Sequence, residues 1–376
     1  MRMLFVVDSF FQFIVATNMK LTLFQNDSVD VIIYNTTNNA ETVYKNAKKF
    51  DIFDNCYLAN SPMLYCGKRF TKMQKLQKYL RYVESLCFPK RSLKCVFKDK
   101  KDYNYDVLLF NSYGAMTDCI FNVILKYNSN AVCYRYEEGF GSYFKEFNNQ
   151  KSKKRMLIEK NIRKIFGNEV INRYIKKFYF FEPGFVMFNP PYEIVQMAKI
   201  SRKNETLKNI LNCVFDYSNI QDSYEEKFIA FEDGGSYFNG EGNDSEDVQL
   251  IKIISEKVGK GNLLVKTHPR CKINRFSPYG IKTNKTTSIP WEVIQMNKNF
   301  DGKVFITTAS ASALSSCLYF GDNTKIIMLY GCMKNKPKMI NENFYKYIDK
   351  FIKKYGNKTL LIPKDKEELE RILDEL

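Results

Sequence analysis

The chain holds one histidine in 376 residues. With one imidazole and no clustered thiols, a dedicated metal cluster is not expected. Its ten cysteines include no C-x-x-C pair and mostly fall inside apolar runs. That pattern excludes a disulfide framework and a zinc-ribbon site, and reads as reduced thiols of a cytosolic protein. No apolar run approaches the ~18 residues needed to cross a bilayer. The opening run from Met3 to Val7 is too short for a signal peptide and is broken by Asp8. A cytoplasmic protein is expected. Repeats, low-complexity tracts and recognisable nucleic-acid motifs are missing as well.

Acidic residues are the scarcer charge, 41 Asp and Glu against 58 Lys and Arg, for a net charge of +17. Such a surface concentrates anionic partners. Nucleic acid, anionic lipid and an acidic sugar nucleotide all qualify, and without a nucleic-acid motif the first is not expected. Much of the excess lies between Lys145 and Lys177, interleaved with Ile and Phe. Two readings fit that band: a basic amphipathic helix suited to a membrane surface, and a solvated helix face.

Apolar residues form 45% of the chain, enough for packed interiors, and the length fits two α/β domains of about 150 to 190 residues each. Short apolar strands alternate with helical patterns. Strands are expected at 3–7, 29–34, 106–110 and 131–136, with helices at 11–23 and 116–125. The alternation resumes with strands at 228–231, 262–266, 304–307 and 325–329, helices at 246–258 and 311–319, and a closing helix from 366 to 376. Asn189-Pro190-Pro191 and the polar stretch to Glu226 are read as the connection, giving domains 1–190 and 191–376.

Three segments at strand ends carry candidate chemistry, since ligands of open parallel sheets bind there. His268 follows the strand Leu263-Leu264-Val265 in Lys266-Thr267-His268-Pro269-Arg270, where two cations flank an imidazole and a proline fixes the turn, so an anion site is expected. Glu137-Glu138-Gly139 follows a second strand. Adjacent carboxylates there raise one another's pKa and suit a general base, although an ordinary acidic turn fits too. Between a strand and a helix lies Thr307-Thr308-Ala309-Ser310-Ala311-Ser312, where hydroxyls and backbone N–H groups converge. Such a segment holds a phosphate, or is simply capped by Ser310.

Taken in order, these motifs resemble those of the bacterial sialyltransferases of glycosyltransferase family 52: an acidic-acidic-glycine motif, a His-Pro motif and a serine motif. Ser9-Phe10-Phe11-Gln12 looks like that family's first strand-to-helix turn, with Phe in place of the usual Pro, and the paired serines are split as Ser310 and Ser312. The resemblance implies GT-B architecture, two Rossmann-like domains facing a cleft. It implies CMP-sialic acid as donor, a glycan or glycolipid acceptor of a surface lipooligosaccharide or capsule, inversion at the anomeric centre, and possible dimerisation. Glu137, with Glu138 as alternate, would deprotonate the acceptor. Protonated His268 would meet the leaving phosphate, aided by Lys266, Pro269, Arg270, Ser310 and Ser312. An acid ahead of the histidine motif also serves as base in that family, and Glu232, Asp233, Glu241 and Asp244 compete for the place. Because the leaving group is a phosphate monoester, a proton and fixed donors replace a divalent cation, so no metal is expected. A CMP-Kdo or UDP-hexose donor, and a basic nucleic-acid-binding α/β protein, are the alternatives.

Overall fold

Runs of Val, Ile, Leu and Phe only four to seven residues long have no polar face to offer water, and in the computed structural model they become parallel strands covered on both sides. The structure describes residues 1–36, 39–60, 71–94, 96–97, 100, 102–111, 113–144, 153–233, 245–268, 271, 273–337 and 339–376. The chain divides into two units, Met1–Ala198 and Lys199–Leu376.

The first unit carries β1 (Arg2–Val7), β2 (Ser28–Tyr34), β3 (Asn55–Ala59), β4 (Val107–Phe110), β5 (Val132–Tyr136), β6 (Ile175–Phe180) and β7 (Glu193–Gln196). They form one parallel sheet in the order β3-β2-β1-β4-β5-β6-β7. Its helices are α1 (Phe10–Thr22), α2 (Ala40–Lys49), α3 (Lys72–Cys87), α4 (Pro89–Lys94), α5 (Ala115–Tyr127), α6 (Gly141–Phe144) and α7 (Lys153–Ile165). Ser9 caps α1 by accepting from the Gln12 N–H at 3.2 Å, which fixes the turn leaving β1.

Two differences from the sequence reading stand out. β7 pairs with β6 in the first sheet, Lys177 opposite Glu193, so the first unit runs past Pro190-Pro191 to Ala198. The polar stretch beyond is not extended either. It contains α8 (Glu205–Val214), capped by Asn204 and buried through Leu207, Leu211 and Val214. Of the basic band, residues 145–152 lie outside the described residues. In α7 the band is not one cationic face, because Arg163 turns inward to an ion pair with Asp118 at 2.7 Å and Glu159 is buried.

The second unit carries β8 (Phe228–Phe231), α9 (Glu246–Val258), β9 (Leu263–Lys266), α10 (Trp291–Asn297), β10 (Val304–Thr307), α11 (Ala311–Ser315), β11 (Lys325–Met328), α12 (Glu342–Tyr355), β12 (Leu360–Leu361) and α13 (Lys366–Asp374). Its parallel sheet has the order β12-β11-β10-β8-β9. Two Rossmann-like α/β units are therefore present, as the sequence led one to expect. In the second, the chain leaves β8 toward β9 and leaves β10 toward β11, so the adjacent strands β8 and β10 send their connections in opposite directions. That is a topological switch point, where open α/β sheets leave a crevice beyond the strand ends. Register puts Thr307, Phe231 and Lys266 side by side on the last row of β10, β8 and the edge strand β9.

One face of this sheet packs on an aromatic cluster centred on the sole tryptophan. Trp291 meets Phe231 edge-on at 4.9 Å and Phe300 at 4.8 Å between ring centroids, and is almost fully buried. The opposite face buries Ala230, Val265 and Ile306 against α9 and α13. Because Trp291 braces the last residue of β8, its removal loosens the crevice as well as the core. Trp291→Ala is expected to lower the stability of this unit by about 3–5 kcal/mol, and Trp291→Phe by much less; urea denaturation followed by circular dichroism measures both. Equal losses would show that the ring fills no specific place.

Candidate active site

The strand-end residues of the second unit are joined by one buried carboxylate. Glu232, the first residue after β8, accepts the His268 backbone N–H at 2.9 Å through Oε2 and the Arg275 Nε–H at 2.8 Å through Oε1. Arg275 is itself buried, and donates onward to Asp247 Oδ2 at 2.9 Å and Ser245 Oγ at 2.8 Å. Asp247 lies in the first turn of α9. The dipeptide Glu232-Asp233 then reaches the other way. Asp233 accepts the Ala309 backbone N–H at 2.9 Å through Oδ2. One acid thus holds the histidine segment after β9 and its neighbour holds the serine segment after β10, straddling the switch point. The exit of β9 is fixed further by Asn284, whose Oδ1 accepts from Thr267 N at 2.7 Å and Thr267 Oγ1 at 3.0 Å.

Burial gives these groups different acidities. Desolvation, only partly offset by the Ala309 N–H, pushes the Asp233 carboxyl up to about 6, with the charges of Asp247 and Glu232 adding to it. The Lys266 ammonium, on the last buried row of β9, is pushed down to about 8 by desolvation, against the pull of Glu292 and Asp222. Glu292 on α10 is raised for the same reason, desolvation. Lys266 and Asp233 are therefore both poised far closer to neutrality than their exposed counterparts.

In the serine segment the capping read from the sequence is present. Ser310 caps α11, its Oγ accepting the Ser312 N–H at 3.3 Å, and Thr307 Oγ1 accepts from Ser310 N at 2.7 Å. A hydroxyl that accepts at its oxygen keeps its own proton to donate, so the cap does not exhaust Ser310. Ser310 and Ser312 are each half-buried at the crevice edge. A small cavity beneath it is lined by Phe231, Glu232, Asp233, Thr307 and Thr308. Pro269, Arg270, Glu241 and Asp244 lie outside the described residues.

The first unit holds the other acidic pair. Glu137 is fully buried. Its Oε2 accepts from Phe181 N at 2.9 Å and from the Tyr143 hydroxyl, tying the end of β5 to that of β6. Glu138 is half-buried and accepts from Gln12 Nε2 at 2.6 Å; the same amide donates to Asp8 Oδ1 at 2.5 Å. So Glu137, the expected base, is fully buried between two strand ends, and Glu138 is the acid nearer the surface. The structure also brings in positioning residues the sequence did not signal: Arg275, Asp247 and Asn284, each far along the chain from what it holds.

Because Arg275 is the only cation paired to Glu232 among the described residues, removing it strands two buried carboxylates. Arg275→Met is expected to cost about 3–5 kcal/mol of stability; a urea midpoint unchanged from the parent protein would dismiss the network as a brace.

No family model matches the chain, and no curated protein matches its sequence. Solved structures do resemble it in fold. The UDP-GlcNAc 2-epimerase of Neisseria meningitidis, bound to UDP-GlcNAc, is 11% identical with a TM-score of 0.46, covering 100% of this chain and 99% of that one. The GT-B domain of a Photobacterium damselae sialyltransferase is 13% identical with a TM-score of 0.45, covering 96% of this chain and 100% of that one. Phytolacca americana UGT2 is 11% identical with a TM-score of 0.46, covering 100% of this chain and 90% of that one. At this level of identity and superposition none of these likenesses bears on what the chain binds or does.

Proposed function

We propose that this protein is an inverting glycosyltransferase that moves sialic acid from CMP-sialic acid to a hydroxyl of a glycan acceptor, with the donor held in the second unit. The reading rests on one observation: Glu232-Asp233 is pinned to the histidine segment on one side and the serine segment on the other, at the switch point of a parallel sheet. The histidine and serine segments are two of the three motifs whose order resembles the family 52 enzymes, and Glu232 and Asp233 are among the acids ahead of the histidine motif that compete for the place of the base.

Roles follow from the geometry. With both its oxygens engaged, Glu232 positions His268. Asp233 is the base: its carboxylate takes the proton of the acceptor hydroxyl as that oxygen bonds to the anomeric carbon. The bond from that carbon to the phosphate oxygen of CMP breaks, and protonated His268 neutralises the leaving phosphate with the Ser310 and Ser312 hydroxyls donating to it. Lys266 adds positive charge at the same strand end. This scheme assigns no metal. A donor of the CMP-Kdo or UDP-hexose kind would use the same parts, and donor screening separates the three.

The test is release of CMP from CMP-sialic acid in chelator, with and without a lactose-type acceptor. Release is expected to rise with acceptor and to fall about 10²- to 10⁴-fold in His268→Ala and in Asp233→Asn. The carboxyl at about 6 must be ionised to act, so kcat/KM should climb as pH rises through that value, an ascending limb that Asp233→Asn removes. No CMP release or binding under any condition removes the donor. If Glu138→Gln abolishes turnover while Asp233→Asn spares it, the base is Glu138.

The same shift has a stability sign. A carboxyl raised in the folded state favours folding while protonated, and that contribution is lost as pH rises through about 6. Asp233→Asn, which cannot ionise, is therefore expected to melt at a temperature equal to or above the parent's at pH 8, while remaining inactive. A clear loss of melting temperature would make Asp233 a structural residue.

A further inference from the structure

The first unit leaves an apolar helical face in water. In α3, Met73, Leu76, Tyr79 and Leu80 are 64, 52, 63 and 57% exposed. At helical spacing these four fall within about 120° of circumference, one continuous stripe. An amphipathic helix normally turns such a stripe to the core. Here the core takes only the far end of the helix, Ser85 and Leu86, while the first turns carry the stripe outward.

A second exposed apolar patch lies at the other end of α3. α3 packs on α7, and the exposed rings of Phe88 and Phe166, just beyond the ends of the two helices, meet edge-on at 5.2 Å. Ile165, the last residue of α7, is 78% exposed. Cations surround this apolar surface. Lys72 and Lys75 sit beside the stripe, Lys160 and Lys164 lie on α7, and Arg91 lies on α4, all exposed. Arg91 reaches Glu84 at 3.1 Å, and Glu84 also holds Arg81 at 2.7 Å.

We propose that this α3–α7 face docks on an anionic phospholipid bilayer, apolar side chains entering the headgroup boundary and lysines meeting lipid phosphates. Charge complementarity selects the occupant. A second copy of this chain would bring the same lysines against one another, and the whole protein carries +17. A bilayer of anionic lipid offers apolar depth and opposite charge together. This surface takes in Lys160 and Lys164 of the basic band read from sequence and adds α3 to them. It does not depend on the glycosyltransferase reading.

The experiment is co-sedimentation of the full chain with phosphatidylglycerol–phosphatidylcholine vesicles and with phosphatidylcholine vesicles. Binding is expected to the first only, and to weaken with added salt. Lys72→Ala and Lys75→Ala should each lose about fivefold in binding. Leu76→Asp with Leu80→Asp should lose about tenfold or more, with circular dichroism unchanged. Three results would overturn the proposal: no binding to either vesicle, equal binding to both, or a parent protein that sediments as a dimer and becomes a monomer in the Leu76→Asp, Leu80→Asp variant. The last would assign the face to a second copy.

Discussion

The Glu232 carboxylate is the contact on which the second unit's crevice depends. One strand end in a parallel sheet is a loose exit, and three adjacent exits have no reason to hold a common geometry. Here a single buried acid accepts from the backbone of the His268 segment and from Arg275, and Arg275 in turn grips the first turn of α9. A buried ion pair adds little net stability compared with apolar packing, and is worth most where it fixes geometry. Both partners of the carboxylate lie in the loop after β9, and Arg275 carries the tie on to the helix after β8, so the carboxylate sets where the imidazole segment begins relative to the sheet.

The two acidic pairs obey one rule. Each follows a short buried strand, and successive side chains of an extended chain point opposite ways. The first acid of each pair, Glu137 or Glu232, turns inward and accepts a backbone N–H at the exit of the neighbouring strand. The second, Glu138 or Asp233, is left half-buried at the rim. Reading adjacent carboxylates as a pair sharing one task misses this division. In the second unit the Asp233 carboxyl is raised toward neutrality by desolvation.

Much of the architecture was legible because buried parallel strands are nearly pure Val, Ile, Leu and Phe, a local signal. β8, β9 and β10 came out within a residue of their observed ends. What was not legible depends on distance along the chain. Arg275 and Asn284 carry no motif, and their roles exist only because the fold returns them to Glu232 and Thr267. α8 was hidden because its polar face and its polar flanks have the same composition, although Leu207, Leu211 and Val214 recur at helical spacing. The boundary was placed early because Pro190-Pro191 marks a break in structure, and a break need not be the end of a sheet.

The strand order of the second unit has a consequence for its synthesis. β8 lies between β9, made shortly afterwards, and β10, which begins at Val304. On the ribosome, Phe228-Ile229-Ala230-Phe231 gains one neighbour early and then waits with its other edge open while the intervening chain is translated. An open edge of that composition is a template for wrong pairing between nascent chains. The crevice thus closes only after Thr307 has emerged, and until then the open edge of β8 is exposed to pairing with other chains.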